Sequence, residues 1–200
     1  MEPSRENYLA AREELFAISA EQVSPVELEK LAELLEDGAY HSLRECLAQL
    51  PPIAFLLPRV HFYAAAAAQG LGDIEDCEME KALFSACLNA LLRTGTGEPE
   101  SPYIVCSTAD EYDVLSALKR PPKSQMLVQG PEGPLDVIEC LDGSEYWFDI
   151  SALSHFTPAM KKAGQKATRQ STSSPRRATT PKSPARKTTR SKRQLSQIPR

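Results

Sequence analysis

Five stretches decide the fold: Tyr103-Ile-Val-Cys106, Thr108-Ala-Asp-Glu111-Tyr112-Asp-Val-Leu115, Gln125-Met-Leu-Val128, Leu135-Asp-Val-Ile-Glu-Cys-Leu141 and Glu145-Tyr-Trp-Phe-Asp-Ile150. The first is a short β-branched run and reads as a strand. Thr108-Ala-Asp-Glu111 has the form of a capping box opening a helix through Tyr112, Leu115 and Leu118. Lys119 and Arg120 suit the negative end of that helix, and Pro121-Pro122 ends it. The last three stretches are strands, the final two joined by Asp142-Gly143, a strong hairpin signal. Trp147 falls on one face of the last strand and Tyr146, Phe148 and Ile150 on the other. The unit is β-α-β-β-β over 101–152. At about 50 residues it is near the lower limit of independent stability, so it is expected to pack on whatever precedes it.

What precedes it is helical. Arg5 to Ser19 places Tyr8, Ala11, Leu15 and Ile18 at helical spacing. Ser24-Pro25-Val26-Glu27 is a helix start, with Ser24 as cap, Pro25 in the first turn and Glu27 bonding back. Leu28, Leu31, Leu34 and Leu35 form its apolar stripe, and Gly38 ends it. A third helix is expected from Ala39 to Leu50, stopped by Pro51-Pro52. Pro58 to Gln69 is rich in alanine, and Asp73 to Arg93 is a long helix. The turns at Gly38 and Gly72 lie 34 residues apart, the tetratricopeptide period, with Tyr40 and Ile74 expected between helices. Residues 1–93 thus read as a helical-hairpin region, of which 25–93 resemble tetratricopeptide-like hairpins, although only Ala32/Ala66, Gly38/Gly72 and Ala48/Ala82 match between 31–50 and 65–84. The fold class expected is α+β: helical hairpins packed with the small module.

The second half carries a more specific resemblance. Thr94-Gly95-Thr96-Gly97, Tyr103-Ile-Val-Cys106, Asp110-Glu111-Tyr112-Asp113-Val114-Leu115, Gln125-Met126-Leu127, Leu135-Asp136-Val137 and Tyr146-Trp147-Phe148-Asp149-Ile150-Ser151 follow one another in an order and spacing similar to a family of uncharacterised bacterial proteins known as a domain of unknown function. The resemblance covers about 88–152 and leaves out the first helices and the tail. Thr96 stands where that family has Asp, and Asp110 where it often has Glu. It implies a fold and a bacterial host, and no reaction.

Charge divides the chain. The 200 residues carry 23 Lys and Arg, 27 Asp and Glu, and a net charge of −4. Thirteen of the basic residues and none of the acidic ones lie in 157–200, so that tail is +13 and the remainder −17. The tail holds 13 Ser and Thr, 5 Pro and no aromatics, with Met160, Leu195 and Ile198 its large apolar groups. Such a segment cannot bury enough surface to offset its ordering entropy and is expected to be disordered. Ser174-Pro175-Arg176-Arg177 and Ser183-Pro184-Ala185-Arg186-Lys187 resemble the Ser-Pro-basic repeats of histone-like tails, which lie along phosphates or enter a narrow minor groove. Arg176, Arg177, Lys182, Arg186, Lys187, Arg190, Lys192 and Arg193 are therefore the candidate polyanion-binding residues. No aromatic is interleaved for base stacking, so the contact expected is non-specific.

No catalytic motif is present: no G-x-S-x-G, Walker loop, G-x-G-x-x-G or H-E-x-x-H. No metal or other cofactor is implied, since the five Cys lack C-x-x-C spacing and the three His are scattered. Asp110, Asp136 and Asp149 could form an acid–base group if the sheet brought them together, against a plainer reading of Glu111 as a cap and Asp149 as a turn acceptor. Cys106 with His155 is a weaker pair, because a thiol between apolar residues is usually buried and inert. No apolar run is long enough to span a membrane, and no export signal is seen, which makes the cytosol or nucleoid of a bacterium the default, or the nucleus of a eukaryote. The expected function is a non-enzymatic interaction protein, its helical half binding a protein partner and its tail a nucleic acid or other polyanion. The alternatives are an enzyme using the small module's carboxylates, and an autoinhibited protein whose tail covers its own acidic body.

Overall fold

The computed structural model describes residues 4–19 and 21–154. Helices α1 (Arg5–Ile18), α2 (Pro25–Glu36) and α3 (Tyr40–Leu47) lead into a 3-10 helix, Pro52–Leu56. Helices α4 (Pro58–Leu71) and α5 (Ile74–Leu92) follow, then β1 (Tyr103–Ile104), α6 (Thr108–Ala117), β2 (Pro122–Gln129), β3 (Pro134–Cys140), β4 (Glu145–Asp149) and α7 (Ser151–Ser154). The class is α+β. The proposed basic residues of the tail, and His155, lie outside the described residues.

The helical half follows its local chemistry. Ser24 accepts from the Glu27 amide and Glu27 bonds back, the expected capping box with Pro25 in the first turn. Gly38 and Gly72 have φ of +68° and +79° and close α2 and α4 in left-handed turns, with Ala39 N donating to Leu34 O and Asp73 N to Ala68 O. Tyr40 packs as expected: a Cβ on Gly70 would lie 2.4 Å from its ring. Ile74 does not; it is 77% exposed. The third helix is also shorter than 39–50. The residue before a proline is driven out of helical geometry, so α3 ends at Leu47, residues 48–50 form a turn, and the 3-10 helix starts at Pro52.

The sheet has the order β1-β4-β3-β2, with β1 parallel to β4 and the other pairs antiparallel. β2 starts at Pro122, earlier than the expected Gln125. It is an edge strand, where a residue without N–H is tolerated. Tyr103, Val105, Ile138, Phe148 and Ile150 share one apolar cluster with Tyr8, Ile53, Leu57, Ala90 and Leu91. The small module therefore completes its core on α1, the 3-10 helix, α4 and α5. Leu31, Leu43, Tyr63 and Ala67 form a second cluster among α2, α3 and α4.

The cap of α6 is displaced by one residue from its expected position. Ser107, not Thr108, is the N-cap, and Asp110, not Glu111, reaches back to it. That shift frees Glu111 from the capping role and turns it inward. At the other end, Lys119 closes α6 with φ +56°, while Arg120 N donates to Leu115 O. A side chain in that conformation costs about 1–2 kcal/mol, part of which glycine loses again in the unfolded chain. Lys119→Gly should therefore raise the midpoint of thermal unfolding by about 2–3 °C. A variant melting no higher than the parent would show that the turn carries no strain.

Candidate functional site

Four acidic side chains gather where α6 lies over the sheet and α4. Asp110 is fully buried; its Oδ2 accepts from the amides of Cys106 (2.8 Å) and Ser107 (3.0 Å). Burial, with the charge of Asp113, raises its carboxyl to about 7 against the pull of those amides and of Arg59. Asp113, one turn on, takes both Arg59 Nε (3.1 Å) and Arg59 Nη2 (2.5 Å) on its Oδ1. Burial raises this carboxyl too, opposed by Arg59.

Glu111 is fully buried and points to the sheet. The Gln125 side-chain amide of β2 bridges it to β3, donating to Glu111 Oε2 (3.2 Å) and to Asp136 Oδ2 (2.8 Å). Tyr112 Oη donates in turn to Gln125 Oε1 at 3.1 Å. Asp136 is thereby held as a charged neighbour of Glu111 across the Gln125 amide. Burial first, and the neighbouring Asp136 second, push the Glu111 carboxyl up to about 9. Burial raises Asp136 as well, while Gln125 and Glu111 act to lower it. Glu111 Oε1 and Asp110 Oδ1 are buried with no partner, an arrangement tolerable for a neutral acid and costly for a carboxylate. Among the described residues no group of three or more His, Cys, Asp or Glu could hold a metal ion.

The three carboxylates expected to converge do not. Asp136 pairs with Phe148 across β3 and β4, so the next residue, Asp149, faces the other side of the sheet. There its Oδ1 accepts from Ser151 N at 2.8 Å, the turn role expected of it. It borders a hollow of about 350 Å³ with Arg5, Thr94, Glu100 and Glu132. Cys106 is no nucleophile: β1 ends two residues earlier, its thiol lies 3.4 Å from Tyr8 Oη, and burial pushes it up to about 12.

The helical half holds a feature that sequence reading missed. An open groove of about 280 Å³ lies between α3, the 3-10 helix, α4 and α5, floored by Leu47, Ala54, Val60 and Ala64. His61 is 4% exposed in its wall, Nδ1 to Glu80 Oε2 at 2.7 Å and Nε2 to the Phe55 carbonyl at 3.0 Å. Phe55 itself is 69% exposed. Arg44 at the rim is bound by both Asp73 and Asp76. Cys87 also donates to the Phe55 carbonyl, and burial pushes its thiol up to about 11.

Three motif segments, Asp110–Leu115, Gln125–Leu127 and Leu135–Val137, thus supply the polar residues that meet under α6. Residues 24–157 match the model of a domain of unknown function (DUF4919). The chain belongs to this family. The match begins at the cap of α2, so the helical hairpins fall within the family, contrary to the expectation that the likeness starts near residue 88; α1 and the tail beyond 157 fall outside it. No curated protein and no solved structure is significantly similar to the chain. Among the described residues no helix is long and apolar enough to cross a membrane.

Proposed function

We propose that this member of the family is a non-enzymatic interaction protein: its helical half binds a protein partner, and its basic tail contacts nucleic acid or another polyanion without sequence preference. The observation that carries the first part is the open apolar groove beside Phe55. A large aromatic left mostly in water at the mouth of an apolar groove is the usual mark of a surface that another molecule covers. The carboxylate cluster supports the same reading by its closure. Each of its acids bonds inside the fold, to Gln125, Arg59 or backbone amides, and Asp149, the remaining acid of the enzyme alternative, is on the far face. Charge supports the second part, because thirteen cations in 157–200 can displace counterions from phosphates while the −17 of the remainder is repelled.

The tail is tested on the full chain. If about six of its cations touch phosphate, log K for duplex DNA falls against log salt with a slope near −5, and sequence changes in the DNA leave K within a few fold. Fluorescence anisotropy across a salt series measures both. No binding at low salt, or a flat salt dependence, removes the polyanion reading.

A further inference from the structure

Two properties of the groove, its size and the sign of its rim, point to an occupant. At about 280 Å³ it lies just below the range of pockets that enclose a cofactor or drug-sized ligand, and suits a pair of aliphatic side chains. Its rim is acidic. Helix α5 contributes Asp76 and Glu80 to it, with the helix cap Asp73 beside them. Arg44, the cation at the rim, is already bound between Asp73 and Asp76. A complementary ligand is a short segment with two aliphatic residues flanked by cations.

The chain carries that segment at its own end. Leu195 and Ile198 stand between Lys192-Arg193 and Arg200, in a tail whose one other large apolar residue is Met160. We infer that the Leu195–Ile198 segment docks in the groove of the same molecule, its aliphatic side chains on the floor beside Phe55 and its cations against the acidic rim. This rests on the reading of the groove as a docking surface and extends it, since an outside partner then competes with the tail. Reach is ample. About 40 residues separate Ser154 from Leu195; a random coil of that length spans roughly 35 Å, against a radius of gyration of about 15 Å for a body of 150 residues. Tethering at that length supplies an effective concentration near millimolar, so even a weak segment keeps the groove covered. Lys192 and Arg193 would serve both the rim and any phosphate, so polyanion binding to the tail opens the groove.

The test uses the full chain at low concentration, with photoreactive p-benzoylphenylalanine in place of Gln197, which leaves Leu195 and Ile198 intact. Irradiation at low salt should place intramolecular crosslinks within 44–64 and 73–87. Phe55→Asp, a change at an exposed site that leaves the core alone, should cut that yield about fivefold, and so should excess duplex DNA. Crosslinks scattered over the body, crosslinks mainly between molecules, or a groove yield indifferent to Phe55→Asp would each overturn the docking. A normal salt slope for DNA alongside scattered crosslinks discards the docking and keeps the polyanion reading; groove crosslinks without DNA binding do the reverse.

Discussion

Glu111→Gln should stabilise the protein at pH 8 by about 2 kcal/mol and leave it nearly unchanged at pH 5. The reason is the proton that burial, with the charge of Asp136 beside it, holds on Glu111. In the unfolded chain a glutamate releases its proton near its ordinary value of 4.5; in the fold Glu111 keeps it up to about 9. Between those values the folded state binds the extra proton. Its contribution to stability is full below 4.5 and is lost as pH rises through 9, at up to about 1.4 kcal/mol per unit. Asp110, raised from 3.8 to about 7, adds a loss of the same sign at lower pH. The parent should therefore be several kcal/mol less stable at pH 9 than at pH 5, unlike a protein dominated by paired surface carboxylates. Gln at 111 carries no such proton to lose and keeps an oxygen for Gln125. Urea unfolding at pH 5, 7 and 9 of parent and variant is the measurement. Parallel curves for the two proteins would mean Glu111 is ionised in the fold and holds no extra proton.

Gly95→Ala should cost about 3 kcal/mol and lower the unfolding midpoint by about 10 °C. A Cβ at residue 95 would lie 2.2 Å from the carbonyl oxygen of Pro102. That oxygen is backbone, and its surroundings are tied: the amides of Thr96 and Gly97 both donate to Ser101 O, and Ile104 N donates to Thr94 Oγ1 at 2.9 Å. Relief means moving the start of β1, and β1 holds its place by parallel pairing with β4. Thr96→Ala, at a neighbour whose hydroxyl makes one long exposed bond to Glu98, should shift the midpoint by no more than a degree or two. Calorimetry on the two variants separates the close approach from a general sensitivity of the loop. Equal, small shifts would show that the Thr94–Gly97 turn has room to give.

The elements themselves were legible because their signals are local. The Ser24 capping box, the glycines at 38 and 72, the Asp142-Gly143 hairpin and the alternation along β4 each need only a few neighbouring residues to be read, and each stands where the sequence put it. Errors began where two local readings compete. Ser107 and Thr108 can both cap a helix, and the choice between them falls to Asp110, which can satisfy the amides of both Cys106 and Ser107 only if the helix starts one residue early. That single step turned Glu111 from a solvent-facing cap into a buried acid. Its partnership with Gln125 and Asp136 follows from the register of β2 on β3, which no spacing along the chain records. The same register sends Asp149 to the opposite face and dissolves the trio that composition suggested. The groove was illegible for a related reason. His61 and Glu80 are 19 residues apart with no motif between them, and only the packing of α4 on α5 brings them to 2.7 Å. Pro51-Pro52 and Pro58, which bracket the 3-10 helix, were the one trace of it, a sign that the backbone leaves the α-helix there. By itself the sequence determined the order of helices and strands, the charge split between body and tail, and membership of a family through its motif pieces. The tertiary structure alone decided which acids are buried together and which apolar residues stay uncovered, because burial and contact depend on residues far apart in the chain.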